Sequence, residues 1–135
     1  MYRVMLVSHG ELSKAILQSA EMICGEQPDV VTHCLYSEDS PESLKERLEA
    51  TLDSWAGEDI LVLTDIRSGT PFNVICSMME HRAFRHISGM NLAMVIEALL
   101  SSEFASTEEI AADLLAGFPD SVLDVNAFLA ELGNE

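Results

Sequence analysis

Residues Ile60 to Thr64 read ILVLT, the most continuous β-prone run in the chain. A strand with one face in water alternates apolar and polar residues, whereas one covered on both faces stays apolar throughout, so this run fits the centre of a parallel sheet. Such a sheet needs crossover helices between its strands. Arg3 to Val7 (RVMLV) is a second apolar run, stopping at Ser8-His9-Gly10, and Glu11 to Cys24 then places Leu12, Ala15, Ile16, Ser19 and Ile23 at helical spacing before Gly25. Val30 to Leu35 reads as a strand, and Ser40-Pro41 opens a helix with a cap and a first-position proline, carrying Leu44, Leu48, Leu52 and Trp55 along one face to Gly57. Asp65 closes the ILVLT run, and the loop Ile66-Arg67-Ser68-Gly69-Thr70-Pro71 leads into a short helix from Phe72 to Met79. A fourth strand is expected at Arg85 to Ser88 and a helix at Leu92 to Ser101, and Ser106 with Glu109 forms a capping box for a helix to about Ala116. Val122 to Val125 reads as a last strand and Asn126 to Leu132 as a terminal helix.

Strands alternating with helices define an α/β chain, folded as an open, mainly parallel four-stranded sheet with helices on both faces. With 48% hydrophobic and 22% charged residues, no repeat and no linker, residues 1–135 are expected to form a single domain with its own core. The 23 acidic and 7 basic side chains leave a formal net charge of -16, which repels nucleic acid and anionic membrane surfaces and favours a partner with a basic or neutral face. No apolar run reaches the roughly 18 residues of a membrane span, and the opening MYRVMLVSHG turns polar too soon for a secretory signal. A cytoplasmic protein with no direct membrane insertion is expected. Cys24, Cys34 and Cys76 form no C-x-x-C pair, so they read as reduced, small hydrophobes rather than a disulfide framework or zinc site. No phosphate-binding G-x-x-x-x-G-K-[ST] and no dinucleotide-binding G-x-G-x-x-G occurs.

In open α/β sheets the ligand site lies beyond the carboxyl ends of the strands. That rule selects Ser8-His9-Gly10 and Asp65 to Asn73. An imidazole at His9 would face the crevice, and the amides after it, from Gly10 onward, open a helix N-terminus that attracts anions. A carboxylate at Asp65 that accepts a hydrogen bond from one ring nitrogen leaves the other with a free lone pair. Ser68 and Thr70 offer hydroxyls, and Gly69 permits close backbone approach to a phosphoryl group. Taken singly, each has a plainer reading: His9 as a hydrogen-bonded turn residue, Asp65 as a cap, Ser-Gly-Thr-Pro as a common turn. Their joint placement on two strand ends points to phosphoryl chemistry. His33 falls within a strand, while His81 and His86 flank the basic H-R-A-F-R-H segment and read as part of an exposed loop around strand four. No carboxylate or cysteine stands between them at ligand spacing, so no metal site is expected. Met78, Met79, Met90 and Met94 read as core or interface filler.

With these blocks in order, the sequence resembles the enzyme IIA component of the mannose-type (mannose, fructose, sorbose) branch of the bacterial phosphoenolpyruvate-dependent sugar phosphotransferase system. The resemblance rests on S-H-G at Ser8 to Gly10, A-E-M-I-C-G at Ala20 to Gly25, D-I-R-S-G-T-P-F-N at Asp65 to Asn73 and S-G-M-N-L-A-M-V-I-E-A-L at Ser88 to Leu99. It implies a phosphocarrier, with His9 taking the phosphoryl group from the phosphocarrier protein HPr and passing it to a IIB component, which serves the IIC/IID membrane permease. It further implies Asp65 as the partner of that imidazole, Thr70 beside the phosphate, no metal or cofactor, and a homodimer completed by a swapped antiparallel strand, for which Val122 to Val125 is the matching segment. Asn73 lies in the same motif without an assigned role.

Two departures stand out. Family members commonly carry a glycine pair before the Ser/Thr-Pro, where this chain has Arg67-Ser68-Gly69, and Ala93 replaces a usual proline. Arg67 adds a cation beside the expected phosphate, and Ser68 constrains the loop. Two other functions compete. A signalling receiver domain would put its phosphorylated aspartate where Asp65 stands, but it needs an acidic pair after the first strand, where Ser8-His9 stands instead. A regulatory IIA-like module phosphorylated at His9, controlling a partner without feeding sugar import, has the same acceptor and is separated only by onward transfer to a IIB component.

Overall fold

The computed structural model describes residues 1–134. Its elements are β1 (Arg3–His9), α1 (Leu12–Cys24), β2 (Val31–Leu35), α2 (Pro41–Ser54), β3 (Ile60–Thr64), α3 (Thr70–Met78), β4 (Arg85–Ser88), α4 (Leu92–Leu100), α5 (Thr107–Gly117) and α6 (Val125–Gly133), with a 3-10 turn over Phe118–Ser121. The four strands are all parallel, in the order β2-β1-β3-β4. From β1 the chain steps outward to β2, then returns across β1 to place β3 on its other side. The direction of winding therefore reverses between β1 and β3, and their carboxyl ends flank the crevice that such a reversal opens.

Side-chain alternation along the two central strands divides the core into two layers. Val4 and Leu6 of β1 with Leu61 and Leu63 of β3 pack against Ile16 and Ala20 of α1, Val95 and Ala98 of α4 and Ile110 and Leu114 of α5. Met5, Val7, Ile60 and Val62 point the other way, onto Leu44, Leu48 and Leu52 of α2 and Val74, Ile75 and Met78 of α3. Every residue of β3 is buried, as its uninterrupted apolar run predicts. Removing one of the fully buried leucines, Leu48 or Leu63, for alanine would cost about 2–5 kcal/mol.

Helix ends follow the local chemistry. Ser40 caps α2 and exchanges hydrogen bonds with Ser43, with Pro41 in the first turn, and Ser106 and Glu109 form the expected reciprocal box on α5. Asp59, just before β3, accepts from both the amide and the hydroxyl of Thr107, tying the start of α5 to the amino end of the sheet.

Two expectations are corrected. Val122 to Val125 is not a strand in this chain: Val122 and Asp124 have extended backbone angles, but the sheet among the described residues is four-stranded and all-parallel. The Asp124 carboxylate accepts the Ala127 amide (3.2 Å) and thereby caps α6, so the helix begins at Val125. His86 lies in the strand expected at Arg85 to Ser88, but it is not exposed with the basic segment around it. It sits half-buried within β4, with its Nε2 2.8 Å from the Thr64 hydroxyl and its ring 5.4 Å from that of Phe72. His33, in β2 as expected, makes the matching contact with the Thr51 hydroxyl (2.8 Å).

Candidate functional site

His9 ends β1 and Asp65 follows directly on β3, so neighbouring strands bring together two residues 56 positions apart. One carboxylate oxygen of Asp65, Oδ2, accepts both the His9 ring Nδ1–H (2.8 Å) and the His9 backbone N–H (2.9 Å). The other oxygen accepts the Ile66 amide (3.0 Å). An ionised carboxylate has only acceptors, which places the ring proton on Nδ1 and leaves the Nε2 lone pair free. The Asp65 side chain is 6% exposed and that of His9 46%, so the orienting group is sealed while the ring faces solvent.

Nε2 faces the loop between β3 and α3. A Cβ on Gly69 would stand 3.0 Å from His9 Cε1 and 3.2 Å from Nε2, so the backbone passes as close to the ring as only glycine allows. Gly69 has φ +96° and is the N-cap of α3, whose first turn is capped by no side chain. The partially positive end of that helix therefore abuts the free ring nitrogen, a favourable place for a phosphoryl group. Thr70, half-buried, is the first residue of α3, and Asn73, exposed, donates its amide to the Gly69 carbonyl (2.9 Å).

The structure explains why a glycine pair suits this loop. Ser68 has φ +67°, the one non-glycine residue at positive φ among the described residues. A side chain in that region costs roughly 1–2 kcal/mol. Arg67 is exposed and takes part in no ion pair among the described residues, unlike Arg3, Arg47 and Arg82.

Gly10 plays a different part from the one expected. Its N–H is committed to the Leu35 carbonyl (2.7 Å), so it shapes the turn after His9 and has no amide left to offer an anion. The reading of the sequence also passed over Ser8, whose buried hydroxyl bonds to the Gly10 carbonyl and the Ser13 amide. Its only signal was a polar residue at the end of an otherwise apolar strand. Thr64 and His86 were missed likewise, and they support the segment from the other side, next to Asp65 and against Phe72 of α3.

The ring is open to solvent, its side chain 46% exposed. A cavity of about 400 Å³ lies at the amino ends of the strands, between Trp55, Ile60 and Phe84, away from His9. The exposed imidazole suits a reactant carried on another protein's surface.

Comparison with known proteins follows the same lines. The family described as the PTS system fructose IIA component, where PTS denotes the phosphotransferase system, matches residues 3–115. The chain is 26% identical over 113 residues to the sorbose-specific EIIA component of Lacticaseibacillus casei, covering 83% of this chain and 82% of that one. Among solved structures, it resembles the mannose/sorbose specific IIA subunit from Enterococcus faecalis (TM-score 0.82, 33% identity, 90% of this chain and 92% of that one). It also resembles the EIIA component from Streptococcus agalactiae (TM-score 0.85, 29% identity, 94% and 99%).

Proposed function

The chain belongs to the fructose IIA component family of the phosphotransferase system, and from that premise we propose that it carries the phosphoryl group on Nε2 of His9. The observation that carries this reading is the double hydrogen bond to Asp65 Oδ2, which holds the ring and its Nδ1 proton while Nε2 faces Gly69 and the start of α3. The Nε2 lone pair attacks phosphorus as the bond from phosphorus to the donor's histidine nitrogen breaks. No proton leaves Nε2, and the Nδ1 proton stays in its hydrogen bond, where the Asp65 charge offsets the positive charge developing on the ring. Onward transfer reverses these steps. Phosphoryl transfer depends on in-line positioning and charge neutralisation more than on covalent activation. In this reading Gly69, Thr70 and the N-terminal end of α3, with Arg67 and Ser68 on the loop, meet the phosphoryl oxygens; the closeness of Gly69 to the His9 ring supports it.

In this reading the donor is phosphorylated HPr and the acceptor a IIB component that feeds the IIC/IID permease. The protein works in the cytoplasm as a domain spanning residues 1–135, with no metal, cofactor or nucleic acid. Among the described residues, no helix is long and apolar enough to cross a membrane. The net charge of -16 would steer a partner with a basic rim.

The homodimer is part of the same proposal. Among the described residues the β4 strand pairs with β3 alone, leaving one edge open. Val122 and Leu123 are exposed, and Val122 is extended, so this segment can supply an antiparallel strand to the open β4 edge of a second copy.

A second reading, the regulatory module, draws on Arg67 and Ser68. A free cation on a constrained loop would hold the phosphoryl group in the ground state as well as in transit, which slows onward transfer and suits a sensor. Transfer from the phosphorylated protein to a IIB component separates the two: rapid loss of label supports transport, and retention supports regulation.

The central claim is tested by intact mass at neutral pH after incubation with phosphoenolpyruvate, enzyme I and HPr. One phosphate adduct, labile in acid, stable in base and absent from His9→Ala, is the expected result. Full labelling of His9→Ala would remove the claim.

A further inference from the structure

We propose that Ser8 is a positioning residue for His9, holding the turn that aims the imidazole; the proposal rests on the reading of His9 as the acceptor. Ser8 is fully buried at the end of β1, where its neighbours Met5, Leu6 and Val7 are apolar and equally buried. A buried hydroxyl is tolerated only with partners. Ser8 has one on each side: it donates to the Gly10 carbonyl (3.2 Å) and accepts the Ser13 amide (2.7 Å).

These two bonds bracket His9. The residue at the N-cap of α1, Glu11, makes no side-chain capping bond, so the Ser8 oxygen does that work from the preceding strand. Ser13 is itself fully buried, and its hydroxyl donates to the His33 carbonyl of β2 (3.1 Å). The Gly10 amide reaches Leu35 of the same strand (2.7 Å). The turn is thus held internally by Ser8 and pinned toward β2 by the Gly10 amide, while the ring is pinned toward β3 through Asp65. Asp65 alone fixes the ring's tautomer and one end of the ring. The line from Nε2 to the start of α3 also depends on where the backbone of His9 stands, which the Asp65 bond to the His9 amide holds on one side and the turn shaped by Ser8 holds on the other.

Ser8→Ala leaves the Gly10 carbonyl and the Ser13 amide without this partner, and the turn can relax. A displacement of about 1 Å at a reacting group is worth on the order of 10²-fold in rate. Ser13→Ala is the control, because it removes a hydroxyl of equal burial from the same cluster and leaves the bond between the Ser13 amide and Ser8 intact. Ser8→Cys, close in shape but a weak hydrogen-bonding group, guards against an alanine variant that folds badly.

The experiment measures single-turnover transfer from phosphorylated HPr to each full-length variant, per folded molecule, with nitrogen NMR of the His9 imidazole recorded without donor. The expected result is a fall of roughly 10–100-fold in the maximal rate for Ser8→Ala and Ser8→Cys at unchanged half-saturating donor concentration. The His9 ring resonances shift in both variants, and Ser13→Ala keeps the wild-type rate and spectrum. Wild-type rate and unshifted His9 resonances in Ser8→Ala, or an equal loss in Ser13→Ala, would overturn the proposal. If the wild-type protein takes no phosphate, the acceptor reading fails, and the donor-free NMR spectra still decide whether Ser8 sets the ring.

Discussion

The crevice at the ends of β1 and β3 and the segment beyond α5 are finished to different degrees. Around His9, the buried polar side chains Ser8, Ser13, Thr64 and Asp65 all have partners within the chain. Beyond Gly117, by contrast, Phe118, Val122, Leu123, Val125, Phe128, Leu129 and Leu132 stand exposed, and α6 buries nothing. Between the two, the hydroxyl of half-buried Ser88 at the end of β4 is shielded from solvent and has no hydrogen-bond partner among the described residues, beside an apolar cavity of about 230 Å³ formed with Met94, Leu115 and Phe118. The lesson is that one chain satisfies the buried polar groups around His9 but leaves its C-terminal apolar surface uncovered, and surfaces of that kind mark contact sites.

The strongest way to break this contrast is at Asp65. Asp65→Asn keeps the size of the side chain but removes the charge and the requirement that Nδ1 carry the proton. Labelling should slow by roughly 10²–10⁴-fold, read by quenched-flow mass spectrometry, with little change in the circular dichroism spectrum. A near-normal rate would mean that the ring is oriented by something other than the carboxylate.

The complementary change lies in the other region. Phe128→Asp with Leu129→Asp puts two charges on the apolar side of α6, and sedimentation should show a dimer become a monomer while the labelling rate per chain stays within about twofold. A large loss of labelling would show that the two regions are not independent.

Substitutions in the loop sharpen the picture further. Gly69→Ala places a Cβ within 3.2 Å of Nε2 at a φ of +96°. It should lower both the labelling rate and the stability, the latter by about 1–2 kcal/mol in denaturant titration. Ser68→Gly goes the other way, because it relieves a φ of +67° and adds flexibility to the unfolded chain. A net gain below about 1 kcal/mol is expected from the same titration.

The smallest effect concerns pH. Burial pushes His33 and His86 down from 6.5 to about 4, with the Arg47 charge adding to the shift at His33. Between those values the unfolded chain binds more protons than the folded one, so the stabilising contribution is complete above pH 6.5 and is lost as pH falls toward 4. His33→Gln, which can still pair with Thr51, should flatten that decline in the melting temperature. An unchanged slope would mean that His33 takes its proton without penalty in the fold.

Much of the site was legible because its residues fall where local pattern changes. His9 and Asp65 each end an apolar run, and Ser68-Gly69-Thr70-Pro71 interrupts the spacing between a strand and a helix. Ser8 was not legible as a positioning group, since a serine at a strand end is equally at home in water. The basic neighbours of His86, Arg82 and Arg85, suggest an exposed segment, whereas the alternation of β4 turns its ring inward. Val122 to Val125 has the residue types of a strand, but without a neighbouring strand in the chain the Asp124 cap starts a helix there instead.

Local pattern was enough to read the four strands, the helices between them, the α/β class and the two strand ends of the candidate site, because these follow from interactions between residues a few positions apart. That β3 lies beside β1, that Asp65 binds both the ring and the backbone of His9, and that Gly69 comes within a Cβ's reach of Nε2 emerge from the folded arrangement. Those relations join residues 56 or more positions apart. Their geometry is set by how two apolar layers pack around one sheet, which no local pattern encodes.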